Sequence, residues 1–162
     1  MCYFLFGAVS KKDYNKEFLS TSLKYNIPVD YICDVDKSLL LLKKSTRDKN
    51  GCIFRLTNEY CDCSTPIGSR EDISKMYKNS YHKQKEYENN VYRIIDNYIN
   101  WLKELHNLSC INDVYFFKHW DSDILDYELK KEAIHINDIT RDFLINMEDE
   151  TIYKIQLYKK YY

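Results

Sequence analysis

Glycine and proline are scarce in this chain, at three and two of 162 residues. Flexible linkers and low-complexity tails are rich in these residues, so neither is expected. An excess of one charge sign is also missing. Lysine and arginine total 24 against 25 aspartates and glutamates, a formal net charge of −1. A protein that coats nucleic acid or an anionic membrane needs a cationic excess, so nucleic acid is not an expected partner. No apolar run approaches the roughly 20 residues of a membrane-spanning helix. The longest, Tyr3 to Val9 and Leu39 to Leu42, read as buried strands. The first residues lack a basic segment followed by a long apolar one, so the expected compartment is the cytoplasm. There is no Walker-type loop and no G-x-G-x-x-G, which excludes nucleotide binding by those devices.

What is present is globular: 44% hydrophobic and 30% charged residues. Residues 1–162 can fold as a single globular domain without disulfide staples. Sixteen tyrosines stand out. Tyrosine gives a large contact area at low conformational cost and is enriched at interfaces. The first functional reading is therefore a small, non-enzymatic binding or regulatory protein that meets a protein partner through an aromatic-rich surface. Lys, Asn, Ile and Tyr share A/T-rich codons, which points to an AT-rich genome, bacterial or phage. Host interaction or inhibition of a defence system is a form that reading can take.

The pattern along the chain predicts alternating strands and helices. Cys2 to Val9 is continuously apolar, as a central strand should be. Ser10 and Asp13 resemble a helix cap before Tyr14, Phe18, Leu19 and Leu23, and Asn26 and Pro28 end that helix. Val29 to Val35 and Leu39 to Lys43 read as strands, with Asn50-Gly51 as a hairpin turn into the alternating segment Cys52–Thr57. Helical periodicity runs from Ser69 to Leu108, too long for a compact domain without a bend near Asn79-Ser80 or Asn89-Asn90. Val91, Ile95, Tyr98, Leu102 and Leu105 share its apolar face. Val114 to Trp120, Ile134 to Ile136 and Thr151 to Tyr158 read as further strands, and Asp138 as the cap of a last helix. The expected fold is α+β: a mixed, mostly antiparallel sheet packed against one long, bent helical segment and two shorter helices.

Six cysteines in a reducing compartment are thiols, metal ligands or redox groups rather than disulfides. Cys61-Asp62-Cys63, between a strand and a helix, is the leading site candidate. Two thiolates at this spacing can hold one metal or act as a dithiol. Zinc requires four ligands, so partners must come from elsewhere. Cys2 is the expected third, with Cys33, Cys52, Cys110, His82 and His106 as other sources. A thiol- or zinc-dependent small enzyme or sensor is thus the second functional reading. Met1-Cys2-Tyr3-Phe4-Leu5-Phe6-Gly7 also resembles the opening of class II glutamine amidotransferases, although Tyr3 replaces the glycine after the cysteine. That resemblance implies an N-terminal cysteine nucleophile once the methionine is removed. Two further groups are weighed against plain surface chemistry. His119-Trp120-Asp121-Ser122-Asp123 and Asp126 offer a cation or acid–base site, or a capped turn. Arg70, Lys75, Lys78, Lys83 and Lys85 interleave with Tyr77, Tyr81, His82 and Tyr87, but Glu71, Asp72, Glu86 and Glu88 cancel the field. No complete catalytic set is visible.

Overall fold

Seven residues without a charged side chain, Tyr3–Val9, form strand β1, and both of its faces are covered. The computed structural model describes residues 2–59, 61–71, 75–77, 79–108, 111–120 and 129–158. Strand β1 lies between β2 (Cys52–Arg55) and β3 (Asp113–Trp120), and is antiparallel to both. Beyond β3 lies antiparallel β5 (Thr151–Gln156), followed by β4 (Lys130–His135), which runs parallel to β5. The order β2-β1-β3-β5-β4 gives the expected mixed, mostly antiparallel sheet.

Helix α3 (Tyr81–Asn107) packs on one face of the sheet. Val91, Ile95, Tyr98, Leu102 and Leu105 are all buried, so the stripe read from steps of three and four is the core-facing one. Beside them the fully buried Trp101 stacks on Phe116, with ring centroids 6.2 Å apart. Its indole N–H donates to Ser22 Oγ at 3.0 Å on helix α1 (Lys16–Lys24). Gly7 admits the Phe54 ring over the strand, because a Cβ there would lie 2.2 Å from that ring. The opposite face carries a smaller cluster of Phe6, Ala8, Ile53, Tyr115, Phe117 and Ile152.

That second cluster corrects the first reading. Leu39 to Lys43 is not a strand but part of helix α2 (Lys37–Ser45). The Asp36 side chain caps it, accepting from the Leu39 N–H at 2.8 Å. Leu39 and Leu42, one turn apart, are buried against the sheet, whereas Leu40 and Leu41 are exposed. A run of four leucines has no period of its own, so the cap decides. Asn50-Gly51 consequently closes no hairpin. It ends the loop from α2 into β2, where Gly51 N–H donates to Thr46 Oγ1 and a Cβ would come 2.5 Å from the Val9 carbonyl.

Other boundaries shift as well. Val29 to Val35 contributes only an isolated bridge, Tyr31 to Phe54. Asn15, not Ser10, caps α1, and Thr140, not Asp138, caps helix α4 (Arg141–Ile145). Asp138 instead closes a 3-10 turn, Ile136–Asp138. The α-helix expected from Ser69 begins only at Tyr81: among the described residues, 69–71, 75–77 and 79–80 are not α-helical, and α3 then runs unbroken through Asn89-Asn90. Tyr77 and Tyr81 thereby leave the core-facing stripe and are 49% and 74% exposed. No helix among the described residues is long and apolar enough to cross a membrane.

Asp13 is almost fully buried, and desolvation pushes its carboxyl above the usual aspartate range. A raised folded-state pKa means that the fold favours the protonated form. Stability linked to this group is therefore full below the unfolded pKa and is lost as pH rises through the folded one. Asp13→Asn should raise Tm relative to the parent near pH 7. That advantage should shrink as the pH is lowered below the carboxylate range, which thermal melts across pH would record.

Candidate metal centre

Strand β2 stops at Arg55, but β1 continues toward its start with hydrogen-bonding groups still directed at the departed neighbour. The Leu5 carbonyl accepts from Leu56 N–H at 3.0 Å. The Leu5 N–H donates instead to Asp62 Oδ2 at 2.6 Å. Asp62 is completely buried and also accepts from Arg55 Nη2 at 2.9 Å and, in a very short contact, from Thr57 Oγ1. One carboxylate thus stands where the strand would have continued. It draws the 3-10 turn Asp62–Ser64 onto the end of the sheet where β1 begins.

The residues on either side of Asp62 are Cys61 and Cys63, and the residue before β1 is Cys2. Their three sulfurs lie within 4.8 Å of one another. The Cys61 and Cys63 Sγ atoms are 2.7 Å apart. Cys2 and Cys61 are partly buried and Cys63 is exposed. Thiolates about 2.3 Å from a tetrahedral ion stand roughly 3.7 Å apart, so binding would spread the Cys61–Cys63 pair by about 1 Å. Side-chain rotation can supply that without moving the anchored turn.

The site has cationic neighbours. Arg55, paired with Asp62, lies over the Phe4 ring at 4.8 Å and donates to the Glu59 carbonyl. Lys118 reaches down from β3 and is almost wholly buried. Its ammonium donates to the Gly68 carbonyl at 2.9 Å, lies over the Tyr3 ring and is 3.8 Å from Asp149. Burial lowers its pKa, and the negative charge of Asp149, Cys63 and Asp62 opposes that fall. Gly68 is required there by a φ of 63°, and a Cβ would press on the lysine stem.

The other sequence candidates do not join the three sulfurs. Cys52 pairs with Val9, at the far end of β1, and Cys33 is exposed in the approach to α2. His82 lies in the first turn of α3, and His106, in its last, hydrogen-bonds the Leu157 carbonyl. Cys110 lies outside the described residues, as do Asp121, Asp123, Asp126, Asp72 and Lys78. His119 is buried and bound through Nδ1 to Glu150 at 3.0 Å, so it serves the turn into β5. In the basic–aromatic segment, Arg70 pairs with Asp149, and the Tyr87 hydroxyl donates to Glu71 at 2.5 Å. That bond leads the causes that raise the phenol to about 12.

Asp62 and Lys118 are the residues sequence reading missed. Asp62 reads as a spacer and Lys118 as an outward strand position, and only the tertiary contact reveals either. A cleft of about 300 Å³ lies behind the same loop, between Ile27, Leu56, Thr65 and Tyr98. Comparisons of the chain with family models, curated proteins and solved structures found no match.

Proposed function

We propose that the protein is a thiolate metal-binding sensor that holds zinc through Cys2, Cys61 and Cys63. The observation that carries this reading is the convergence of three sulfurs from distant parts of the chain on one end of the sheet. Clustered thiolates suit zinc and other soft ions rather than magnesium or calcium. Among the described residues no histidine or carboxylate belongs to this ligand group. Zinc on three thiolates keeps a fourth position for water or an incoming ligand. The sensor reading is favoured over the enzyme reading because Asp62 is consumed by three hydrogen bonds and Lys118 by a carbonyl and a ring. Neither is left to act as an acid or base.

An ion here would tie β1 to the Cys61–Cys63 turn and stabilise the fold that binds it. The cytoplasm, where thiols stay reduced, is the compartment that suits such a site. Titration of the reduced protein with Co²⁺ should give an intense thiolate-to-cobalt absorption that saturates near one equivalent and is displaced by zinc. Cys61→Ser and Cys63→Ser should each weaken binding at least about 100-fold, a ligand's share of a thiolate zinc site. Cobalt spectra that do not differ from those of free ion would reject the reading.

A second reading, a protein partner met through tyrosine, is supported by the exposure of Tyr77, in the turn before α3, and of Tyr81, its first residue. It requires that Tyr77→Ser with Tyr81→Ser abolish association without lowering Tm.

A further inference from the structure

We propose that hydrogen peroxide oxidises Cys61 and Cys63 to a disulfide and thereby strips two of three thiolates from the bound metal, so that the centre reports oxidant by releasing zinc. This inference rests on the zinc reading above and adds its regulation. Cys61 and Cys63 are in direct contact at 2.7 Å, closer to each other than two ligands of one tetrahedral ion need to be. Cys63 is exposed to a small oxidant, whereas Cys61 and Cys2 are partly buried. The pair is therefore a sulfur that peroxide can reach with a second sulfur waiting behind it.

The chemistry balances with peroxide as the only co-reactant. The Cys63 thiolate attacks one peroxide oxygen, the O–O bond breaks, and Cys63 becomes a sulfenic acid as hydroxide leaves. Cys61 sulfur then attacks the Cys63 sulfur, the S–O bond breaks, and the hydroxyl leaves as water after taking a proton. Two electrons pass from the thiols to peroxide, and two waters are the net product. Two sulfurs of one anchored turn, about 3.7 Å apart while both hold the ion and in contact once one lets go, let the second step outrun further oxidation of Cys63. Asp62 holds both cysteines in the same turn throughout, because its partners Leu5, Arg55 and Thr57 take no part. Cys2 alone cannot retain the ion, so metal leaves.

Zinc-loaded, full-length protein is treated with about one equivalent of hydrogen peroxide, and the released metal is read with a chromogenic chelator. Trypsin then yields one peptide, Leu56–Arg70, that carries both cysteines and no internal cleavage site. The expected result is that this peptide becomes about 2 Da lighter in step with zinc release, and that dithiothreitol reverses both changes. Cys61→Ser should instead leave Cys63 as sulfenic or sulfinic acid, heavier by roughly 16 or 32 Da. The inference is overturned if the parent peptide gains oxygen or stays unchanged, or if the disulfide joins Cys2 to either cysteine. The same digest on metal-free protein separates the two readings. A disulfide in protein that never binds cobalt or zinc defeats the metal centre, and with it release as the output. Cobalt binding without a disulfide defeats only the peroxide step.

Discussion

Asp62→Ala should cost about 3 kcal/mol of stability and weaken metal binding at the same time. The carboxylate is fully buried and accepts from a backbone N–H, a guanidinium and a hydroxyl. Removing it leaves the Leu5 N–H without its acceptor and Arg55 without its counter-charge. Loss of one partner of a buried ion pair typically costs 3–5 kcal/mol. The lower end applies because the Arg55 side chain is 23% exposed and can recover some hydration. Asp62 touches none of the sulfurs' prospective metal, so its effect on affinity is one of position. Asp62→Asn keeps an acceptor for Leu5 but loses the charge. It should fall between the parent and Asp62→Ala in both Tm and affinity for cobalt. Equal cobalt affinity in parent and Asp62→Ala would show that the turn holds its cysteines in place unaided.

Trp101→Ala should be at least as damaging to the fold, at about 3–5 kcal/mol, while leaving the sulfurs in place. Trp101 is wholly buried, stacks on Phe116, meets Phe18 and Tyr98 edge-on or tilted, and hydrogen-bonds Ser22. Its removal opens a cavity between α1, α3 and β3 and leaves the Ser22 hydroxyl without its donor, though that hydroxyl still donates to the Phe18 carbonyl. For a chain of this length the loss corresponds to a drop in Tm of roughly 10 °C. Leu102→Ala, one position along and equally buried, should cost roughly 2–5 kcal/mol. Chemical denaturation with an unchanged slope would measure both. A loss within about 0.5 kcal/mol for either would contradict the packing of α3 on the sheet.

Much of this scaffold is legible in the sequence because its signals are periodic and local. Tyr3–Val9 and Val114–Phe117 are apolar runs, and the α3 stripe repeats at three and four over many turns. The reading fails where period gives no information. Leu39 to Leu42 suits a buried strand as well as a helix, and the deciding feature is a single cap, Asp36. The same limit affects Tyr77 and Tyr81, whose helical spacing extends ahead of α3 into a stretch where positive φ at Arg70 and Tyr77 is incompatible with a continuous α-helix. In the site, Cys61 and Cys63 announce themselves by proximity, and Cys2 follows from placing β1 inside the sheet. Asp62 is different in kind. An aspartate between two cysteines looks like a solvated turn residue, and its burial depends on β2 ending early beside Leu5. No local pattern encodes that.

The most direct test is the metal content of the protein purified under reducing conditions and supplied with zinc, read by native mass spectrometry. The account predicts about one zinc per chain, retained in Cys33→Ser and Cys52→Ser and lost in Cys2→Ser, Cys61→Ser and Cys63→Ser. A folded parent that carries no zinc, or zinc that survives in Cys2→Ser and Cys61→Ser alike, would contradict it.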